Sequence, residues 1–350
     1  MTQRFSHTDL IERTADLFAK AGLARDIAQV TAEVLVEADL LGYDTHGLQF
    51  VPAYLKGIET GRTTLSGEPE VLKDGGRTVL LDGHRLPGQW ATVKALELAR
   101  ERVSGQGTVS VVLRGVQNIS CLAVYARRAA LDGLLTLVMA SAPGNAAVAP
   151  HGGREGRLST NPLAVGIPLP KGMILIDTSS SATSNRQVER HRRAGTSLPR
   201  PSLVGSDGHP SDDPETLFAD SPGAILPGGG VDYGHKGFAL GLLVEAFTSG
   251  LAGGGRSDEA PGAGNTVFLQ LTDPEAFGGR DAFTRETGFL AEACRDTPPL
   301  DGGPPVRVPG DRALAHFEKQ VAEGVTLHPE IMPLIAPLFE KHGVPPPEAL

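Results

Sequence analysis

"GYDTHGLQFVPAYLKG", residues 42–57, sets one histidine among an aspartate, a threonine and two glycines at the end of a helical pattern. Upstream, Ile27, Val30, Val34, Ala38 and Leu41 recur at helical spacing, and Gly42 suits the stop. Downstream, Pro52 suits the first turn of a short helix through Tyr54, Leu55 and Ile58. The stretch is a helical corner. His46 at its turn has two readings: a side chain that handles a proton, or a residue that helps the chain turn. Before it, Ser6 and Asp9 suit the cap of a first helix, with Leu10, Ile11, Leu17 and Phe18 on one face and Gly22 at its end.

From about residue 70 the pattern changes. The short β-branched or apolar runs 78–81, 108–113, 134–140, 163–167, 174–177 and 266–271 read as strands. Helical patterns at 89–103, 120–131 and 236–251 lie between some of them, which makes an α/β domain. The connection 196–230 is rich in Pro, Gly, Ser and Asp and reads as a long surface excursion. "AGGGRSDEAPGAGN", 252–265, reads as a mobile loop. Two helices, 313–323 and 330–342, close the chain and could return to the N-terminal ones.

Composition removes several classes. With 40% hydrophobic and 21% charged residues and a mean hydropathy of −0.09, the chain reads as soluble and globular. A net charge of −9 argues against nucleic-acid and anionic-membrane surfaces. No apolar run reaches the roughly 18 residues of a membrane span, and no signal pattern opens the chain, so a cytoplasmic protein is expected. Cys121 and Cys294 fit no metal-ligand spacing and read as buried, reduced thiols.

No G-x-G-x-x-G stands between a strand and a helix; "GGREGR" (152–157) and "GGG" (228–230) fail that test, and the P-loop pattern is absent. In "GHKGFALGLLVEAF", Gly234 and Gly237 bracket His235 and Lys236 ahead of an apolar helix. A lysine at a helix N-terminus suits a phosphate, and a solvated lysine at a tight turn is the plain alternative.

Several segments together resemble one family. "ADLLGYDTHG" with Pro52 and Tyr54, "APHGGREGRLSTNPLAVGIP", "ILIDTSSSA", "GHKGFALGLLVE" and "TDPEAFGG" are similar, in order, to landmarks of the malate/L-lactate dehydrogenase family. That family also holds ureidoglycolate, sulfolactate and diketogulonate dehydrogenases and piperideine-2-carboxylate reductases. The resemblance implies a non-Rossmann mixed-sheet cofactor domain (66–295) packed against a helical domain built from both termini (1–65 and 296–350). It also implies a homodimer and NAD or NADP as cofactor. By the same resemblance His46, with Asp44 and Thr45, is expected at the catalytic centre, and Thr160 and Tyr54 near the substrate. Asp177, Thr178, Ser179, His235 and Lys236 are expected along the cofactor.

Three positions depart from the pattern. The family's carboxylate-gripping arginine falls at Phe50, which has no donor, and a lost charged hydrogen bond costs roughly 1.5–3 kcal/mol. A family histidine falls at Asn118, which cannot exchange a proton near neutral pH. A Lys or Asp position falls near Gln187. Two readings follow. One is a NAD(P)-dependent oxidoreductase acting on a carbonyl/hydroxyl or imine/amine group of a small molecule other than a standard 2-hydroxy acid. The other is a repurposed member catalysing a cyclisation, elimination or isomerisation, its cofactor lost or vestigial.

Overall fold

Two amphipathic helices open the chain in a computed structural model that describes residues 3–258 and 264–350. In α1 (His7–Lys20) the Ser6 hydroxyl accepts from the Asp9 N–H, and Leu10, Leu17 and Phe18 are buried. Helix α2 (Arg25–Leu40) packs on it and buries Ile27, Val34, Leu35 and Ala38. Gly42, at φ 81°, turns the chain out of α2. A 3-10 turn, Leu48–Phe50, then leads into α3 (Val51–Glu59).

The sheet follows. Its strands are β1 (Glu70–Asp74), β2 (Thr78–Asp82), β3 (Thr108–Val116), β4 (Leu135–Ser141), β5 (Pro162–Pro168), β6 (Met173–Ser179) and β10 (Asn265–Thr272). They lie in the order β1-β2-β3-β10-β4-β5-β6, and β2–β3 is the one parallel pair among the described residues. The six strands expected from sequence lie within β2–β6 and β10, or within a residue of them; β1 is an addition whose side chains are all exposed. Helices α4 (Gly88–Gln106) and α5 (Leu122–Ala130) pack on the sheet. One continuous apolar core joins α1 and α2 to α4, α5 and the strands.

The C-terminal α9 (Asp311–Glu323) packs on α2, and α10 (Ile331–Lys341) on α3 and the 3-10 turn. Phe5 and Val325 exchange backbone hydrogen bonds, tying the two ends together. No helix among the described residues is long and apolar enough to cross a membrane.

Three expectations need correction. The connection 196–230 is not only surface: β7 (Leu203–Val204), β8 (Pro210–Ser211) and β9 (Ala224–Ile225) form a second sheet that buries Leu203, Val204, Ala224 and Ile225. Such two-residue strands leave no periodic trace. Two helices are additions: α6 (Asn185–Ala194) buries only Val188 and offers no apolar stripe to detect, whereas α8 (Arg280–Arg295) buries only Ala291 although Phe283, Leu290, Ala291 and Cys294 recur at helical spacing. The helix expected from 236 starts six residues earlier, as α7 (Gly230–Glu245). Cys121 is buried, whereas Cys294 is partly exposed. The expected mobile loop at 252–265 falls partly on 259–263, outside the described residues.

Candidate active site

The corner after α2 is held from within. The Leu48 N–H donates to Asp39 Oδ2 at 2.8 Å, the His46 N–H to the Tyr43 carbonyl at 2.8 Å, and the Phe50 N–H to the Gly47 carbonyl at 3.0 Å. Burial pushes the Asp39 carboxyl well above the usual carboxylate range, against the pull of the Leu48 N–H. From the opposite side the Ser120 hydroxyl donates to the His46 carbonyl. The backbone that carries the imidazole is thereby held at the edge of a cleft of about 740 Å³.

Thr45 Oγ1 meets His46 Nδ1 at 2.8 Å. A hydroxyl can donate or accept, so the ring's other nitrogen can face a bound molecule in either tautomer. Burial, then the positive charge of Arg186, lowers the His46 pKa to about 4 against the opposing pull of Asp44. The ring is neutral at physiological pH.

The cleft lies where β3 and β4 end and β5 and β10 begin, between the helical corner and the sheet. His46 and Phe50 line one side, Asn118 and Ser120 the next, and the segment 142–147, with Ser159 and Thr160, the floor. Asn118 Oδ1 accepts from the Tyr54 hydroxyl at 2.9 Å and the Ser120 N–H at 2.8 Å, leaving its amide nitrogen for the cleft. Gln89 donates to the Tyr54 oxygen at 2.6 Å, and Tyr54 stacks on Phe50 at 5.6 Å. The Thr160 carbonyl is tied down by the N–H and hydroxyl of Ser180, both at 3.0 Å.

Of the residues singled out in the sequence, His46, Phe50, Asn118 and Thr160 share this cleft. Thr45 and Tyr54 sit one layer back, acting on His46 and Asn118. Asp44 faces away, where the Arg190 guanidinium grips it at 3.2 Å. Asp177 also lies off the cleft: it accepts the Ala123 N–H at 2.8 Å at the start of α5, and burial raises it to about 6. Thr178 is exposed, and Ser179 bonds to Ser181.

His235 and Lys236 are not at a helix start. They project from the second turn of α7, exposed, with Lys236 over the Tyr233 ring. The flanking glycines serve packing: a Cβ at Gly237 would collide with the Gly228 backbone and the Ser180 carbonyl. Among the cleft residues that escaped the sequence reading are its two oppositely charged ones, Arg186 and Glu189 on α6. The one signal for that helix is its cap, Ser184 three residues ahead of Gln187, whose N–H donates to the Ser184 hydroxyl at 3.1 Å.

A profile described as malate/L-lactate dehydrogenase matches residues 5–335. The chain belongs to that family. It is 32% identical to an L-lactate dehydrogenase of Cupriavidus necator over 99% of this chain and all of that protein. It is 30% identical to a Delta(1)-pyrroline-2-carboxylate/Delta(1)-piperideine-2-carboxylate reductase of Pseudomonas syringae pv. tomato, over 93% of each. A malate dehydrogenase structure from Entamoeba histolytica superposes with a TM-score of 0.91 at 24% identity, covering 99% of this chain and 100% of that one, which is a likeness of fold. The protein is therefore a dehydrogenase- or reductase-like enzyme, an oxidoreductase by family.

Against the family pattern the cleft corrects one expectation. Charge has not left it: the Arg186 guanidinium lies 4.7 Å over the ring of Phe50, the residue that the resemblance expects in the arginine position. Gln187 itself turns along α6 toward His191, at 3.3 Å.

Proposed function

We propose that the protein is a NAD(P)-dependent oxidoreductase that moves a hydride to or from a carbonyl/hydroxyl or imine/amine carbon of a small molecule other than a standard 2-hydroxy acid. The observation that carries this reading is the neutral imidazole of His46, bonded at Nδ1 to Thr45 on a backbone that Ser120 holds at the edge of a cleft of about 740 Å³. That volume lies in the range of small-molecule and cofactor sites.

The residues present fit a nicotinamide. Ala142, Gly144, Ala146 and Ala147 offer small side chains and open backbone to a flat ring with a carboxamide. When bound, the reduced nicotinamide supplies the hydride. The chain's own groups do the rest: His46 exchanges a proton or a hydrogen bond with the reacting heteroatom, Thr45 sets its ring, and Asn118 and Thr160 orient the substrate. The cofactor mode is non-Rossmann, since no glycine-rich strand-to-helix turn is available for a pyrophosphate.

The working form is a cytoplasmic homodimer. Helix α7 turns Gly234, Gly237, Gly241 and Val244 inward and leaves Tyr233, Leu240, Leu243, with Phe247 and Leu251 beyond it, exposed along its outer side, an apolar stripe suited to a second copy. Leu243→Asp should convert a dimer to a monomer in light scattering; an unchanged mass would move the interface elsewhere. The activity itself is tested by following NADH and NADPH oxidation with a panel of 2-oxo acids, imines and neutral ketones. Turnover of at least one is expected, and none, with no cofactor binding by fluorescence, would overturn the reading.

A further inference from the structure

One carboxamide in the cleft has its orientation decided by the backbone. The Ser120 N–H donates to Asn118 Oδ1 at 2.8 Å, and a backbone N–H can only donate, so the atom it meets is the carboxamide oxygen. Tyr54 reaches the same oxygen at 2.9 Å, so its single hydroxyl proton points there. The Tyr54 oxygen is left to accept, and Gln89 Nε2 donates to it at 2.6 Å. Three side chains therefore bond in one direction, from Gln89 on α4 through Tyr54 on α3 to Asn118. Asn118 lines the cleft, and its Nδ2 has no partner among the described residues.

The surroundings oppose any rearrangement of these bonds. Gln89 is fully buried, and its Oε1 finds no partner among the described residues. That costs about 1–3 kcal/mol, which a leucine or methionine in the same place would not incur. A Cβ at Gly88 would collide with the backbone of Gln117 and Asn118, so the start of α4 rests directly on the segment that carries the carboxamide. The Tyr54 ring stacks on Phe50. Ser120, at a left-handed φ of 65°, holds Asn118 with its N–H and the His46 carbonyl with its hydroxyl. A non-glycine residue in that conformation is strained, and it is kept here where one residue serves both sides of the cleft.

We propose that Gln89 and Tyr54 are positioning residues that lock Asn118 as a donor-only group, whose amide N–H pair bonds the substrate oxygen on which charge changes during hydride transfer. The inference rests on the hydride-transfer reading of the cleft. A carboxamide nitrogen has no lone pair to offer, so the atom it meets must accept. Donors fixed before the reaction stabilise a developing oxyanion without reorganising. In the oxidative direction the hydroxyl proton passes to the neutral His46 ring, the hydride leaves carbon for an oxidised nicotinamide, and the C–O bond becomes C=O. Asn118 holds that oxygen throughout and keeps both its protons. Proton transfer is left to His46.

The test is a double-mutant cycle followed with NADH, NADPH and the ketones of the panel, and with the oxidised cofactors and the matching alcohols. Asn118→Leu should lower kcat by about 100-fold. Tyr54→Phe and Gln89→Met, which keep the ring and the volume, should each lower kcat by about tenfold with KM nearly unchanged. The double variant should lose no more than Tyr54→Phe alone, because Gln89 acts only through Tyr54. Losses that multiply, or that fall on KM, overturn the relay. Asn118→His should add an inflection at about pH 6.5 to the profile of alcohol oxidation. An inflection there in the wild-type protein overturns the donor-only role. A readout free of turnover uses protein labelled with ¹⁵N in asparagine, with Asn118→Asp marking the Asn118 side-chain signals. Gln89→Met should move those signals, as Tyr54→Phe does. Signals that stay in place in Gln89→Met overturn the relay whatever the activity. No cofactor turnover with any substrate sinks hydride transfer instead, and the spectra then still decide whether Gln89 and Tyr54 lock Asn118.

Discussion

The corner at residues 42–50 and helix α6 bring polar side chains to the same cleft by opposite means. The corner is shaped by close neighbours: Asp39 to Leu48, Tyr43 to His46, Gly47 to Phe50. Helix α6 is pinned by ion pairs to remote parts of the chain, Arg190 to Asp44, Arg192 to Glu215 and Arg193 to Glu330. The first arrangement fixes the backbone that carries the His46 ring. The second hangs a helix from long side chains, where partners can be exchanged. A proton site gains from the former, and a charge-reading site can tolerate the latter.

The largest expected effect separates the two roles. His46→Gln should lower kcat/KM for a ketone by about 100-fold or more, within the range of a positioned acid–base group. For an imine the loss should be smaller, because no proton is delivered in the hydride step. Equal losses for both substrates would mean that the ring serves binding alone. A stability comparison comes next. A Cβ at Gly47 would collide with the Asp39 carboxylate, so Gly47→Ala should destabilise the fold by about 1–3 kcal/mol. Arg190→Ala removes a partly exposed ion pair and a 2.7 Å bond to Gln49, and should cost about 1 kcal/mol in urea unfolding. If Arg190→Ala proved the more damaging, the corner would depend on α6 and not on itself.

The same contrast decides what the sequence reveals. The corner is legible because its partners lie within ten residues and its glycines mark the turns, and the long apolar strands are legible because burial leaves a run of β-branched residues. Helix α6 is not: one buried valine gives no stripe, and the glutamates and aspartate that hold its arginines at 190, 192 and 193 lie 23 to 146 positions away. So the substitution at Phe50 reads as a loss of charge, although Arg186 returns a guanidinium to the same ring from another element. In α7 the glycines around His235 and Lys236 have the look of a turn, yet they serve close packing, Gly237 against the Gly228 and Ser180 backbone and Gly234 against the His151 and Pro227 side chains. Glycine alone does not distinguish the two uses.

Acid titration offers the smallest and cleanest distinction. His46 falls from the ordinary 6.5 to about 4 in the folded protein, so between those values the unfolded chain binds a proton that the native one refuses. Its contribution to stability is present above about 6.5 and is lost as pH falls toward 4. Asp177 has the opposite sign: raised from 3.8 to about 6, it stabilises at low pH and loses that contribution as pH rises through 6. Between pH 4 and 6 the two slopes oppose, each at most about 1.4 kcal/mol per pH unit, and the native protein should show a shallow profile there. Removing the imidazole leaves Asp177 unopposed. His46→Gln should therefore gain stability relative to wild type as the pH is lowered from 7 to 4.5, measured as the shift between paired urea midpoints. Parallel midpoints across that range would mean that the His46 ring titrates as it does in water, and that the corner does not shield it.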